Sequence, residues 1–171
     1  MKTLTASFVE TTTSTLLTRP LTASGTLAVQ RPSRIVLRYI EPDERVVLID
    51  GDRMTTSWPS RSIHQSRDIG AAQKRIQRYF VDSSPDELRS HFAIGAREPE
   101  DRPGTYLVTM VPRRRQILEG LARLELWVDA RTQLMTAMTM TFPNGDTKEM
   151  TFTDVKPNAP VDRSRFSANA P

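Results

Sequence analysis

The segment 34–58, RIVLRYIEPDERVVLIDGDRMTTSW, constrains the fold more than any other part of the chain. Runs of β-branched and apolar residues at 34–40, 45–50 and 53–58 are separated by the turn signals Pro42 and Asp50-Gly51. Links this short join antiparallel neighbours, because parallel strands need a much longer crossover. The segment therefore predicts an antiparallel meander around which the rest of the chain must fold.

Further strand patterns lie on both sides of this meander. Residues 4–13 and 23–30 are rich in threonine and apolar side chains, and His64 lies in another strand-like stretch. Later strands are predicted at 105–112, 121–130, 133–142 and 147–155, and Phe166 is expected to anchor the proline-rich tail. The total of about ten antiparallel strands indicates a mainly β fold, a strongly curved sheet closed by a helical insertion.

Burial of apolar side chains decides between two strand registers for the last predicted hairpin. A three-residue loop that ends at Gly145 would use the left-handed conformation that glycine adopts freely. Met138 then lies opposite Met150 and Phe142 opposite Asp146, whereas a shorter loop pairs the methionines with polar residues. Register follows burial, so the three-residue loop is predicted.

Two helical patterns interrupt the strands between about residues 68 and 92. In the first, 68–81, Ala72, Ile76 and Phe80 form one apolar stripe at helical spacing.

The second pattern begins at Ser84. This residue can cap a helix, Pro85 suits the first helical position, and Glu87 would complete a capping box. Leu88 and Phe92 would then share one face of the helix.

Length and composition fit one soluble domain spanning residues 1–171. Hydrophobic residues make up 37% and charged residues 26%, which leaves enough apolar material for one core. No apolar run approaches the length of a membrane span. The net charge of +4 is dispersed and aromatics are only 6%, so nucleic acid is not an expected partner.

The sequence gives little material for covalent chemistry. Cysteine is absent, which excludes disulfides and thiolate catalysis, and the two histidines do not form a zinc pattern. No phosphate loop, dinucleotide fingerprint or nucleophile elbow occurs. We expect no cofactor, no metal site and no enzymatic activity.

Methionine is concentrated in the last hairpin, where four of the seven methionines lie at positions 135, 138, 140 and 150. Methionine adapts its shape and is common on surfaces that accept varied apolar ligands. It also fills irregular cores, and both interpretations stay open.

Arg31 continues the alternation of Leu27 and Val29 and would face the same side of the sheet. A charged side chain on an apolar surface needs hydrogen-bond partners, which the carbonyls at a helix C-terminus could supply. The alternative is an exposed arginine at the end of a strand. The spacing of Leu27, Val29 and Arg31 alone does not distinguish a polar latch from an exposed arginine.

Several stretches together resemble the LolA-like family of periplasmic outer-membrane lipoprotein carrier proteins. They are VQRPSRIVLRYIEPDERVVLIDGDRM, LELWVDARTQLM, FPNGDTKEMTF and the ending NAPVDRSRF. The resemblance covers roughly residues 4–171. Each motif alone has modest specificity, and the order and spacing of the motifs together carry the resemblance.

The resemblance implies an unclosed antiparallel β-barrel with a helical lid at about 68–92. Its hydrophobic cavity would take the acyl chains of a lipoprotein or a related lipid, received from an inner-membrane ABC transporter and passed to an outer-membrane acceptor. The arginine of the Arg-Pro pair, here Arg31, would hold the lid closed. We expect a monomer that does not span the membrane. The candidate cavity residues are Leu27, Val29, Ile35, Leu37, Val47, Ile49, Met54, Ile76, Phe80, Leu88, Met138, Met140 and Phe152.

The chain also departs from the family pattern. Ile35, Leu37, Met54 and Thr55 stand where family members often carry aromatics. The usual N-terminal helix is expected to be short or missing. A differently shaped cavity and a different cargo are therefore open. No apolar signal segment follows Met1, so the protein is either cytoplasmic or a mature chain from which a signal peptide has been removed. The periplasmic location that the resemblance implies requires the second.

Two other functions remain open for this sequence. A sensor or interaction module would read lipids or lipoproteins without transporting them. An enzyme on the same scaffold would need convergent polar groups, and the pattern offers Arg31 and Tyr39.

Overall fold

The structure is a computed structural model that describes residues 2–31, 33–69 and 84–166. Strands are the main element of these residues. They are β1 Thr3–Thr13, β2 Leu21–Gln30, β3 Arg34–Glu41, β4 Arg45–Asp50, β5 Arg53–Trp58, β6 Ile63–Asp68, β7 Phe92–Arg97, β8 Thr105–Pro112, β9 Arg123–Asp129, β10 Met135–Thr141 and β11 Thr147–Pro157.

The 11 strands form one antiparallel sheet in the order β6-β5-β4-β3-β2-β1-β11-β10-β9-β8-β7. The sheet is not closed, because β6 and β7 stand at the two ends of this order among the described residues. The mainly β fold class and the unclosed sheet are confirmed. The sequence predicted about ten strands, and β7 is the strand that it missed.

The meander at residues 34–58 has its predicted strands and turns. Each of β3, β4 and β5 pairs antiparallel with the next, and Gly51 turns between β4 and β5 with a φ of 57°. A left-handed φ suits glycine, which has no Cβ to clash.

The last hairpin confirms the predicted register. Met138 pairs with Met150, and Phe142 donates its backbone N–H to the carbonyl of Asp146 at 2.9 Å. Gly145 has a φ of 87°, as the three-residue loop requires.

The helical segment is confirmed in its second part. Helix α1 spans Pro85–His91, and Ser84 forms a capping box in which its hydroxyl accepts from the backbone N–H of Glu87. Two details were wrong. Asp68 is the last residue of β6, and Phe92 begins β7 instead of continuing a helical face with Leu88. The stripe of Ala72, Ile76 and Phe80 lies outside the described residues.

Three short elements were not predicted. They are helix α2 at Arg115–Leu118 and the single-turn 3-10 helices Pro59–Arg61 and Arg163–Phe166. Among the described residues, no helix is both long and apolar enough to cross a bilayer.

The chain forms two compact units, here called unit 1 and unit 2. Unit 1 contains Met1–Val9, Ala23–Asp82 and Thr153–Pro171, and unit 2 contains Glu10–Thr22 and Ser83–Phe152. The single domain expected from length stays a prediction.

A candidate apolar binding surface

Strand register places the candidate residues of unit 1 on one face of the sheet. Residues that are paired directly across antiparallel strands point to the same side. One row contains Leu27, Leu37 and Val47, and the next contains Val29, Ile35, Ile49 and Met54. All seven are half-buried. We call these seven residues the unit 1 face.

The opposite side of the same strands is a closed core. Ala28, Val36 and Val46 are buried there together with Phe166 of the C-terminal segment, and Leu48 and Val161 pack against them. Phe166 is therefore the anchor that the sequence predicted. The C-terminal segment covers one side of the sheet in unit 1, while the unit 1 face keeps apolar surface in contact with solvent.

An aromatic cluster lies beside the unit 1 face. Phe8 meets Tyr39 edge to face with ring centroids 5.1 Å apart, and the guanidinium of Arg45 lies 3.9 Å from the centre of the Tyr39 ring. Tyr39 alternates with Ile35 and Leu37 along β3, so it points to the same side. A cation over a tyrosine face is stabilised by the ring quadrupole.

The candidate residues of unit 2 also share one side of their strands. Met138 pairs with Leu126 and Met150, and Met140 pairs with Leu124. Met138 and Met140 are half-buried, whereas Met150 is buried. We call these five residues the methionine face.

The remaining candidates lie in different environments. Phe152 is buried near the end of unit 2, on the same side of β11 as Met150. Leu88 is half-buried on α1. Ile76 and Phe80 lie outside the described residues.

Arg31 lies in the turn directly after β2. Its backbone N–H donates to the carbonyl of Lys2 at 3.0 Å, and its side chain is exposed. The predicted latch partners are carbonyls of the lid helices at about 68–92, and residues 70–83 of that segment lie outside the described residues. The latch role stays a prediction.

One ion pair lies at the methionine face. The ammonium Nζ of Lys148 is 3.2 Å from Oε1 of Glu10, and Lys148 pairs directly across from Met140. The Glu10 side chain is only 5% exposed and that of Lys148 29%. Neither residue is predictable as a site residue from the sequence, because β1 and β11 become neighbours only in the folded sheet.

The family model for "Outer membrane lipoprotein carrier protein LolA" matches residues 1–169, almost the whole chain. The chain belongs to the LolA family. No curated protein sequence gives a match.

Solved structures share the fold of this LolA-family chain at low sequence identity. A DUF1329 family protein from Desulfovibrio piger is 12% identical with a TM-score of 0.51, and the alignment covers 99% of this chain and 91% of that one. A domain named for outer membrane lipoprotein sorting, from Vibrio parahaemolyticus, is 11% identical with a TM-score of 0.52 and coverages of 98% and 90%. MucB is 18% identical with a TM-score of 0.52, and this chain covers 58% of its length.

Two polar side chains of this LolA-family chain, His64 and Ser57, lie on the opposite side of the sheet from the unit 1 face. Nδ1 of His64 lies 2.9 Å from Oγ of Ser57, but Ser57 is fully buried and pairs across from Val46, on the core side of the sheet. A hydroxyl without solvent access cannot meet a substrate. Within the described ranges, no group of three histidine, aspartate or glutamate side chains is placed to hold a metal ion.

Proposed function

We propose that this protein is a periplasmic carrier that binds the acyl chains of a lipoprotein or a related lipid and delivers them toward the outer membrane. Membership of the LolA family supports this function. The observation that carries the proposal is the unit 1 face, whose seven apolar residues stay half-buried while the other side of the same strands is packed by Phe166.

The unit 1 face leaves apolar surface partly hydrated in the described residues. Each methylene removed from water contributes about 0.8 kcal/mol, so an acyl chain laid on such a face gains several kilocalories per mole. β-branched side chains such as Val29 and Ile35 give a stiff surface, and methionines such as Met54 adapt to the ligand. An acyl chain needs only this apolar contact and no specific polar partner.

Delivery of the cargo requires a free-energy cost of binding, so that the cargo is not held too tightly to be released. In the proposed mechanism Arg31 holds a helical lid over the empty cavity. Opening the lid costs free energy, and this cost lowers the net affinity for cargo. The exposed guanidinium of Arg31 is available for such contacts, and its main chain is fixed by Lys2. Cargo would arrive from an inner-membrane ABC transporter and leave to an outer-membrane acceptor.

The first test is to identify what the protein binds. We would purify it from a Gram-negative periplasm, record native mass spectra, and extract and identify bound lipid. A co-purifying acylated species that a fluorescent hydrophobic probe displaces supports the carrier. A ligand-free protein that also fails to bind the probe contradicts it and favours an interaction module.

A pair of variants makes this test specific to the unit 1 face. Ile35→Asn adds a polar group to the half-buried face and should weaken probe binding by about tenfold, since it removes apolar contact and adds an amide that must be desolvated. Ile40→Asn is the matched control, because Ile40 lies on the same strand, points to the other side and is 63% exposed. Equal effects of the two variants would exclude the unit 1 face as the binding surface.

A further inference from the structure

The loop between β1 and β2, residues 14–20, exposes apolar side chains. Leu16 is 90% exposed, more than any other large hydrophobic side chain among the described residues, and Leu21, the first residue of β2, is 54% exposed. Leu17 is half-buried. Single exposed hydrophobic residues are ordinary, but three leucines within residues 16–21 are a concentrated apolar feature. We call these three residues the leucine tip.

The chain around the leucine tip carries almost no charge. Arg19 is the only charged residue between Glu10 and Arg31. Apart from two leucines, residues 11–18 are all threonine or serine. Hydroxyl groups can exchange hydrogen bonds with the ester groups of lipids, and they carry no charge that must be desolvated. The loop can therefore enter a water-poor environment at a low free-energy cost.

The backbone of the loop is suited to the same environment. The N–H of Leu17 donates to the carbonyl of Ser14 at 3.1 Å, and the N–H of Leu16 donates to Oγ of Ser14 at 3.2 Å. Pro20 has no backbone N–H. An N–H group without a partner is costly in hydrocarbon. The loop can place Leu16 there without leaving the amides of Leu16 and Leu17 unsatisfied.

Strand direction places a group of arginines at the same edge of unit 2. Neighbouring strands in the order β1-β11-β10-β9-β8 run antiparallel, so β1, β10 and β8 all end at this edge. The segment 113–122 follows β8 there and begins with the exposed residues Arg113, Arg114 and Arg115. Leu118 in the same segment is 40% exposed.

Positive charge exceeds negative charge at this edge. Oε1 of Glu119 lies 3.8 Å from Nε of Arg115, and Asp146 is the other acidic residue of the segments that follow the three strand ends. Against these two acids the segments contain four arginines, and such an excess attracts an anionic partner. The segments are residues 14–20, 113–122 and 142–146.

The chemistry of the leucine tip favours a lipid bilayer over a protein pocket. Protein interfaces bury a broad patch and concentrate their energy in tryptophan, tyrosine and arginine anchors. No aromatic residue lies between Phe8 and Tyr39. A bilayer requires only apolar side chains at the depth of the acyl chains and cations at the phosphate groups. The leucine tip and the exposed Arg19 supply both.

We propose that the leucine tip inserts into the surface of an anionic phospholipid bilayer, with Leu16 among the upper acyl chains and Arg19 at the phosphate groups. The arginines of segment 113–122 face the same surface. Apolar burial and attraction to anionic lipid both strengthen such peripheral binding. This membrane contact goes beyond the proposed carrier function and does not depend on acyl binding by the unit 1 face.

The first test is flotation of the purified protein with vesicles of equimolar phosphatidylcholine and phosphatidylglycerol. The wild-type protein should float with them. Leu16→Asn should weaken the affinity for these vesicles by about tenfold, since one leucine side chain no longer leaves water. Tyr106→Asn is the control and should bind as the wild-type protein does. Tyr106 is 45% exposed in the same unit and lies near the start of β8, away from this edge.

A second pair of variants tests the charge. Arg19→Gln should weaken binding to the same vesicles by about fivefold, as the attraction of one cation to an anionic surface predicts. Its binding to vesicles of phosphatidylcholine alone should equal that of the wild-type protein. Arg131→Gln is the matched control, because Arg131 is an exposed arginine in the turn between β9 and β10, at the opposite edge.

A fluorescent label locates the loop directly. The chain contains no cysteine, so Leu16→Cys accepts a single environment-sensitive NBD label. Its emission should rise on the anionic vesicles and should be quenched by lipids that carry a nitroxide in the acyl chain. The same label on Tyr106→Cys should show neither change.

The outcomes separate membrane docking from the carrier function. A wild-type protein that does not float, or equal flotation of Leu16→Asn and the wild-type protein, would overturn the proposal. A label at position 16 that stays in water on vesicles but responds to an outer-membrane acceptor protein would also overturn it and assign the loop to a protein contact. Binding of a hydrophobic probe should be the same in the wild-type protein and Leu16→Asn, so a failure of docking leaves the carrier function standing.

Discussion

Phe8 and Tyr39 meet edge to face, with ring centroids 5.1 Å apart and ring planes at 79°, and both side chains are buried in unit 1. Their strands are not consecutive in the sheet, because β2 lies between β1 and β3. The contact therefore reaches across a strand, next to Gly25, which pairs with Tyr39 and has no side chain. The contact between Phe8 and Tyr39 therefore lies beside Gly25, a position where a side chain would clash with the backbone of β3.

Phe8→Ala should destabilise unit 1 strongly. Phe8 is 2% exposed, and removing a buried phenyl ring leaves a cavity that costs about 3–5 kcal/mol. The loss should appear as a lower midpoint in urea unfolding followed by circular dichroism. Phe8→Leu is the control and should cost less, because it keeps most of the volume. Equal losses of stability in the two variants would show that stability does not depend on the volume of the side chain at position 8.

Gly25→Ala should also destabilise the protein, for a different reason. A Cβ at Gly25 would lie 2.0 Å from the carbonyl oxygen of Arg38, a backbone atom that cannot move independently of β3. Overpacking of this kind costs about 1–3 kcal/mol.

Gly95→Ala is the matched control for this clash. A Cβ at Gly95 in β7 meets nothing within 4 Å, so the variant should be neutral or slightly stabilising. Unfolding midpoints that fall equally for the two variants would contradict the clash at Gly25.

The sequence predicted those elements whose signals are local. The turns around Gly51 and Gly145 and the capping box at Ser84 each depend on a few adjacent residues, and all three are confirmed. The pairing of Met138 with Met150 was also predictable, because a short loop and a burial pattern together fix the register.

Other features depend on contacts that no local pattern shows. Strand β7 follows α1 without a turn residue, and its sequence FAIGAR alternates too weakly to separate it from the end of a helix. Glu10 and Lys148 meet only because the folded sheet places β1 beside β11. The aromatic contact of Phe8 depends on the same long-range order.

The turn after β9 gives a prediction about acidity. Oδ1 of Asp129 accepts from the backbone N–H of Thr132 at 2.7 Å and from its hydroxyl at 2.8 Å. These bonds favour the ionised carboxylate, and the backbone bond is the largest cause of a pKa of Asp129 below its ordinary value. Thr132→Val should raise this pKa only part of the way, because the backbone bond remains.

The same shift has a consequence for stability. Because the pKa of Asp129 is lower in the folded than in the unfolded state, the stabilisation from its carboxylate is fully present above the unfolded pKa. It is lost as the pH falls through the folded pKa.

Carbon-13 NMR titration of the Asp129 carboxyl in the wild-type protein and in Thr132→Val measures the pKa directly. An identical pKa in the two proteins would show that the hydroxyl does not contribute.

Arg31→Leu tests the latch in the proposed carrier cycle. If Arg31 stabilises the closed, empty state, its loss lowers the cost of opening, so cargo should bind about tenfold more tightly. Cargo should also leave more slowly. The measurement is the rate at which a bound fluorescent fatty acyl probe transfers to acceptor vesicles, followed by stopped-flow fluorescence. Arg53→Leu, which removes another exposed arginine from unit 1, should leave this rate unchanged. Unchanged affinity and transfer in Arg31→Leu would rule out the latch and leave Arg31 as an exposed arginine at the end of β2.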